Sequence, residues 1–126
     1  MKPNQEIFDQ VARHLLTQNQ RAMDDISCCY RVGSLTCAVG CLISPVDYRP
    51  EMEGNSINYI SLNLDEEECV LITTALANSG VDCSNEETLE LLQRLQAVHD
   101  TCEPVDWSSE LKELARSFNL TYSIKQ

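Results

Sequence analysis

The sequence predicts a mainly α fold in a single domain, 1–126: about four helices packed around a short irregular cysteine-rich insert, with a small β-hairpin at 28–37. Three observations lead there. Four segments carry apolar residues at helical spacing, bounded by cap and stop signals. Between the first two, residues 28–54 (CCYRVGSLTCAVGCLISPVDYRPEMEG) gather four of the seven cysteines and most of the Gly and Pro of the first half. And 126 residues is the length of one domain, able to bury roughly two-thirds of its unfolded surface without a metal or disulfide staple.

The elements follow in order. Over residues 4–18, Ile7, Phe8, Val11, Ala12, Leu15 and Leu16 lie on one helical face, with Glu6, Asp9 and Arg13 turned outward and Asn4 as a cap after Pro3. Polar residues 17–20 stop this helix, and Arg21 to Ser27 read as a linker. In the insert, Gly33-Ser34 sits between Tyr30-Arg31-Val32 and Leu35-Thr36-Cys37. Gly at the first loop position suits a type II′ turn, which sets Arg31 opposite Thr36 and Tyr30 opposite Cys37. The apolar run 37–43 fits helix or strand, and its small residues Ala38 and Gly40 point to close backbone packing. Ser44-Pro45 and Arg49-Pro50 interrupt regular structure, and 55–62 read as loop or short strand. Asn63 with Glu66 opens a helix over 64–79 that Gly80 ends. Ser84 with Glu87 forms a capping box for a helix to about His99, striped by Leu89, Leu92, Leu95 (or Gln96) and Val98. After Pro104, Trp107, Leu111, Leu114 and Phe118 mark a final helix, and 121–126 read as a frayed tail or short edge.

Charge bounds the function. The chain carries −11, with −2 in residues 1–63 and −9 in 64–126. Such a field repels phosphate backbones and anionic lipid, so direct nucleic-acid or membrane binding is not expected; an acidic face docking on a basic protein surface is. No apolar run reaches the ~18 residues of a membrane span, and the opening MKPNQEIFDQ is too polar for a secretion signal. A reducing cytoplasm is therefore expected, with the seven cysteines as thiols.

The run Cys29-Tyr30-Arg31, then LTCAVGCLI at 35–43, Asp47-Tyr48 and PEMEG at 50–54 resembles a family of small bacteriophage and bacterial proteins that has no established activity. The likeness continues through Leu95 to Asp100 (LQAVHD), Pro104, Trp107, Leu111, Ala115 and Phe118-Asn119-Leu120, and so spans most of the chain. Ser44-Pro45-Val46 stands where those proteins tend to read Pro-Asp-Glu, so acids there are not carried over. The resemblance implies a cytoplasmic accessory role, in a host cell if the chain is phage-encoded.

Candidate sites compete with simpler roles. Cys28, Cys29, Cys37, Cys41, His99 and Cys102 are the residues from which a zinc site would be drawn. There is no CxxC pair, and packing of small buried thiols is preferred; no cofactor is expected, zinc being the alternative. A thiol nucleophile would need a base, yet His99 and Asp100, adjacent on a helix, are expected to point apart. Their placement at a helix end suits a cationic imidazole meeting C-terminal carbonyls instead. Glu51, Glu53 and His99 are a further acid–base set, set against Arg31 and Arg49 pairing with Glu51, Glu53 or Asp100 to anchor the insert. The preferred function is a non-enzymatic acidic protein-binding module, with Tyr48, Glu51, Met52, Glu53 and Tyr59 on the loop 44–62 as partner contacts. A zinc-stabilised regulatory module comes second, a thiol or acid–base enzyme third. Homo-oligomerisation belongs to the same binding class.

Overall fold

A computed structural model describes residues 1–124. Among these it shows α1 (Asn4–Gln18), β1 (Arg31–Val32), β2 (Leu35–Thr36), α2 (Ile57–Leu62), α3 (Glu67–Asn78), α4 (Glu86–Thr101) and α5 (Trp107–Ser117), with single 3₁₀ turns at 40–42, 50–52 and 104–106. The fold is mainly α, with five helices rather than four.

Helix α4 is central and packs against α1, α2 and α5. Its Leu91, Leu92, Leu95 and Val98 meet Ile7, Phe8, Val11 and Leu15 of α1 and Trp107, Leu111 and Leu114 of α5 in one core. Full burial of a large apolar side chain contributes about 1.5–3 kcal/mol, so this three-helix contact supplies a large share of the stability. The caps of the later helices differ from the sequence expectation. Asn63 closes α2, its amide donating to Tyr59 O (3.0 Å), and α3 starts only at Glu67. Ser84 turns back to Asp82, and Asn85 caps α4 by accepting from Thr88 N–H (3.0 Å). At the end of α3, Gly80 (φ +87°) completes a Schellman motif, with Val81 N–H donating to Leu76 O and Gly80 N–H to Ala77 O.

The short stretch 57–62 is a helix, not a strand. Ser56 accepts from Tyr59 N–H (3.1 Å), and Ile57 and Ile60, three apart, both enter the core.

The hairpin has the expected register, Arg31 opposite Thr36 and Val32 opposite Leu35. Gly33 has φ +59°, and Ser34 is not among the described residues with positive φ, the combination a type II′ turn needs. The polar end of α1 holds the hairpin. Gln18 accepts from Thr36 N–H (3.1 Å) and donates to Thr36 O (2.9 Å), while His14 Nε2 lies 3.0 Å from that carbonyl. The apolar run 37–43 is neither α-helix nor strand but two tight turns, and it is buried through Leu42 and Ile43. Gly40 is required there, because a Cβ at this position would stand 2.1 Å from Tyr30 O.

The segment after Leu120 is tied down as far as it is described. Gln5 exchanges two hydrogen bonds with the Thr121 backbone (2.8 and 2.9 Å), and Tyr122 packs edge-on against Phe8. The remainder of the expected tail, residues 125–126, lies outside the described residues.

Candidate functional site

A cleft of about 230 Å³ opens where the 27–30 segment, the 53–57 turn and the end of α4 meet. Cys28, Cys29, Cys37, Tyr30, Glu53, Gln96 and Asp100 line it. The sulfur-rich segment is thus only partly packing material: Cys37 is buried, whereas Cys28 and Cys29 are half-buried in the cleft wall.

The cleft is organised by His99 and Asp100, which do interact. His99 Nδ1 lies 2.6 Å from Asp100 Oδ1. Gln96, one turn earlier, donates to the same oxygen (2.8 Å) and draws the carboxylate back across the helix face; that pull is what adjacency alone does not reveal. Gln96 also accepts from Val39 N–H (3.0 Å), so the buried run is fastened to the same point. The His99 ring is fully buried, stacked on Trp107 with centroids 5.7 Å apart. Its Nε2 accepts from Ala22 N–H (3.0 Å). A backbone amide can only donate, so Nε2 carries no proton and Nδ1 does: the tautomer is fixed from both sides.

The carbonyls at the end of α4 are met by Arg21 rather than by His99. The guanidinium donates to His99 O (3.1 Å) and Cys102 O (2.6 Å), which makes residues 21–30 an anchored strap rather than a linker. The other expected arginine anchors differ as well. Arg49 donates to the Val46 and Tyr48 carbonyls, and Arg31 lies over the Tyr48 ring, its buried Nε having no hydrogen-bond partner among the described residues. The acid that secures the insert is Glu53, which accepts from Tyr30 N–H (2.9 Å), Arg31 N–H (3.1 Å) and Tyr48 O–H (2.7 Å).

The remaining candidates, apart from Cys37 in the cleft wall, are dispersed. Cys37 Sγ accepts from Gly40 N–H, Cys41 Sγ donates to Ala38 O, and Cys102 lies at the end of α4 beside Thr101. Met52 is 1% exposed and belongs to the core, under α3. Glu51 is exposed, and Tyr59 is 40% exposed with its hydroxyl on Glu66 (2.5 Å). The acid brought into the cleft with Asp100 is therefore Glu53; Glu51 stays in solvent.

Two chemistries can be weighed on this geometry. Cys28, His99 and Asp100 have ligand-type atoms within 4.8 Å of one another, and no other such group of three occurs among the described residues. A metal on Nδ1 would displace its proton, and the neutral ring would then carry hydrogen on Nε2, facing Ala22 N–H at 3.0 Å. The ring must give up one partner before it can ligate. A thiolate nucleophile fits no better. Burial, then the Asp100 charge, pushes the Cys28 thiol up to about 11; burial likewise lifts Cys37, and raises Cys41 to about 12. Burial works against the charge on Asp100 too, but hydrogen bonds from His99 and Gln96 outweigh it and hold the carboxyl below its ordinary value. The cleft pairs an ionised carboxylate with protonated thiols. Comparison with protein-family models, with curated proteins and with solved structures finds no match.

Proposed function

We propose that this chain is a non-enzymatic acidic module that acts by occupying a basic surface on another protein. The observation that carries the reading is uncompensated charge: twenty acids face nine Lys and Arg residues. Among the described residues only Arg21–Glu103 and Arg116–Glu113 form ion pairs with them. Some of the other carboxylates accept hydrogen bonds, Glu53, Asp24 and Asp82 among them, but none of these bonds cancels their charge. The groups with chemical potential, by contrast, are consumed internally, His99 at both nitrogens and the nearby thiols as protonated donors or packing. The resemblance to phage and bacterial proteins supplies the proposed setting, an accessory protein in a bacterial cytoplasm. No helix among the described residues is long and apolar enough to cross a membrane.

The test is affinity capture from bacterial lysate, followed by re-binding of the purified captured protein in a calorimeter. A stoichiometric complex with a basic protein, weakening steeply as salt rises, is the expected result, because exposed charges are screened over about 10 Å at 0.1 M and about 3 Å at 1 M. No complex at low salt, or one indifferent to salt, removes the reading.

The second reading, a zinc-stabilised regulatory module, is supported by the Cys28, His99 and Asp100 cluster. A melting temperature raised by zinc and lowered by chelator would favour it.

A further inference from the structure

The surface on which such a partner would sit is marked at the corner between α2 and α3. Ile57 and Ile60 turn α2's inner face to the core, which leaves Tyr59 and Leu62, also three apart, facing out. Leu62 is 84% exposed, and Leu64 and Val70 are exposed too. Leu62 ends α2, Leu64 follows in the connection between the two helices, and Val70 lies in the first turn of α3. The Tyr59 hydroxyl reaches Glu66, and Val70 lies one turn beyond it, its N–H donating to Glu66 O (2.9 Å). Between Leu64 and Val70 run four consecutive exposed acids, Asp65 to Glu68, and none has a Lys or Arg ion-pair partner among the described residues. The start of α3 accounts for acids at Glu67 and Glu68 through the helix dipole. It does not account for leucines left in water on either side of Asn63. Four exposed apolar residues within twelve positions, interleaved with exposed acids, have the composition of a contact site, whereas apolar residues exposed singly are ordinary.

Charge selects the occupant. A second copy would bring four acids against four, on chains of −11 each, and anionic polymers or lipids are repelled in the same way. Resting on the binding-module reading, we propose that the α2–α3 corner docks a basic amphipathic helix of another protein, its apolar side chains on Leu62, Leu64 and Val70 and its Lys or Arg residues beside Asp65–Glu68.

The probe is a synthetic helical peptide with leucine on one face and lysine on the other, titrated into the ¹⁵N-labelled full chain. Amide shifts are expected to saturate and to cluster within residues 57–70. Binding should weaken by about tenfold or more in Leu62→Ser/Leu64→Ser, and similarly when Asp65 becomes Asn and Glu66, Glu67 and Glu68 become Gln. All are exposed positions, and a cooperative melt verifies folding in each variant, the acid variant melting slightly lower because it loses charge at the start of α3. Shifts spread over the whole acidic surface, equal binding of a scrambled peptide of the same composition, or unaltered affinity of the variants would each overturn the assignment. So would sedimentation showing a dimer that Leu62→Ser disperses. Capture of a basic protein that survives both variants would leave the binding-module reading standing and move its surface elsewhere.

Discussion

Replacing His99 with Phe tests the fixed tautomer at the centre of the cleft. The ring volume and the stack on Trp107 are kept, and both hydrogen bonds are lost. Ala22 is fully buried, so its N–H has no water to turn to once Nε2 is gone. An orphaned buried donor costs about 1–3 kcal/mol. The bond to Asp100 is charge-assisted, worth about 1.5–3 kcal/mol when enclosed, but the carboxylate side chain is 36% exposed and water can replace part of it; about 1 kcal/mol is a fair share. The total is about 3 kcal/mol, or roughly 10 °C in melting temperature for a domain of this size. Asp100→Asn retains an acceptor for Nδ1–H and should cost only about 1 kcal/mol. Because the two residues share one bond, the double variant should be less destabilised than the sum of the singles. Scanning calorimetry reads the energies, and long-range ¹H–¹⁵N correlation identifies the protonated ring nitrogen. His99→Phe melting within about 2 °C of the parent, or a proton found on Nε2, would refute the reasoning.

Other expectations follow from the same contacts. Gly40→Ala places a Cβ 2.1 Å from Tyr30 O and should cost about 3 kcal/mol or more by displacing the hairpin from the 37–43 turns, whereas a urea midpoint close to the parent's would show that the backbone yields cheaply. Glu53→Gln leaves a single oxygen for two amide donors and a hydroxyl; a loss of about 2 kcal/mol is expected, with Tyr48 freed and visible as increased fluorescence quenching by acrylamide. Stability should fall at high pH: the Cys37, Cys41 and Cys83 thiols titrate higher in the folded chain than in the unfolded one, chiefly through burial, so their contribution is complete below about pH 8.5 and is lost as the pH rises toward the folded values, about 12 for Cys41 and about 11 for Cys83. By about pH 10 the loss is on the order of a few kcal/mol, and a urea midpoint unchanged between pH 7 and about pH 10 would contradict it.

How much of this could be read from the chain depends on the range of each interaction. Helices α1, α4 and α5 and the Gly33 turn are local patterns, and the structure carries them. Helix α2 was hidden because six residues offer only the Ile57/Ile60 pair as a helical signal, and Ile57/Tyr59 and Ile60/Leu62 imitate alternation. The caps at 63 and 84 failed for a different reason: Asn63 and Ser84 are good capping residues engaged by nearer partners, the end of α2 and Asp82. Nothing local announces Arg21 on the carbonyls of residues 99 and 102, nor Glu53 on the amides of 30 and 31, since each joins segments far apart in sequence. Of the six residues the sequence offers for zinc, Cys28, Cys29 and Cys37 line the cleft and His99 reaches it through Asp100, but their arrangement is not legible; Gln96, which sets it, reads only as an alternative to Leu95 on a helical stripe.

The acidity and the cysteine content of this chain are physically linked. Burial is the largest influence raising each of Cys28, Cys29, Cys69 and Cys83, and neighbouring carboxylates act in the same direction: Asp100 on Cys28, Glu53 and Asp24 on Cys29, Glu66 and Glu68 on Cys69, Asp82 on Cys83. A thiol beside a carboxylate resists ionisation, and the thiolate is the reactive form. The negative field that we propose draws a basic partner therefore also disfavours the thiolate, and with it oxidation, at the cysteines lining the cleft. Thiols spread over a basic scaffold of the same shape would face the opposite influence, with more thiolate near neutral pH. At Cys28, Cys29, Cys69 and Cys83 the carboxylates thus add to what burial already does.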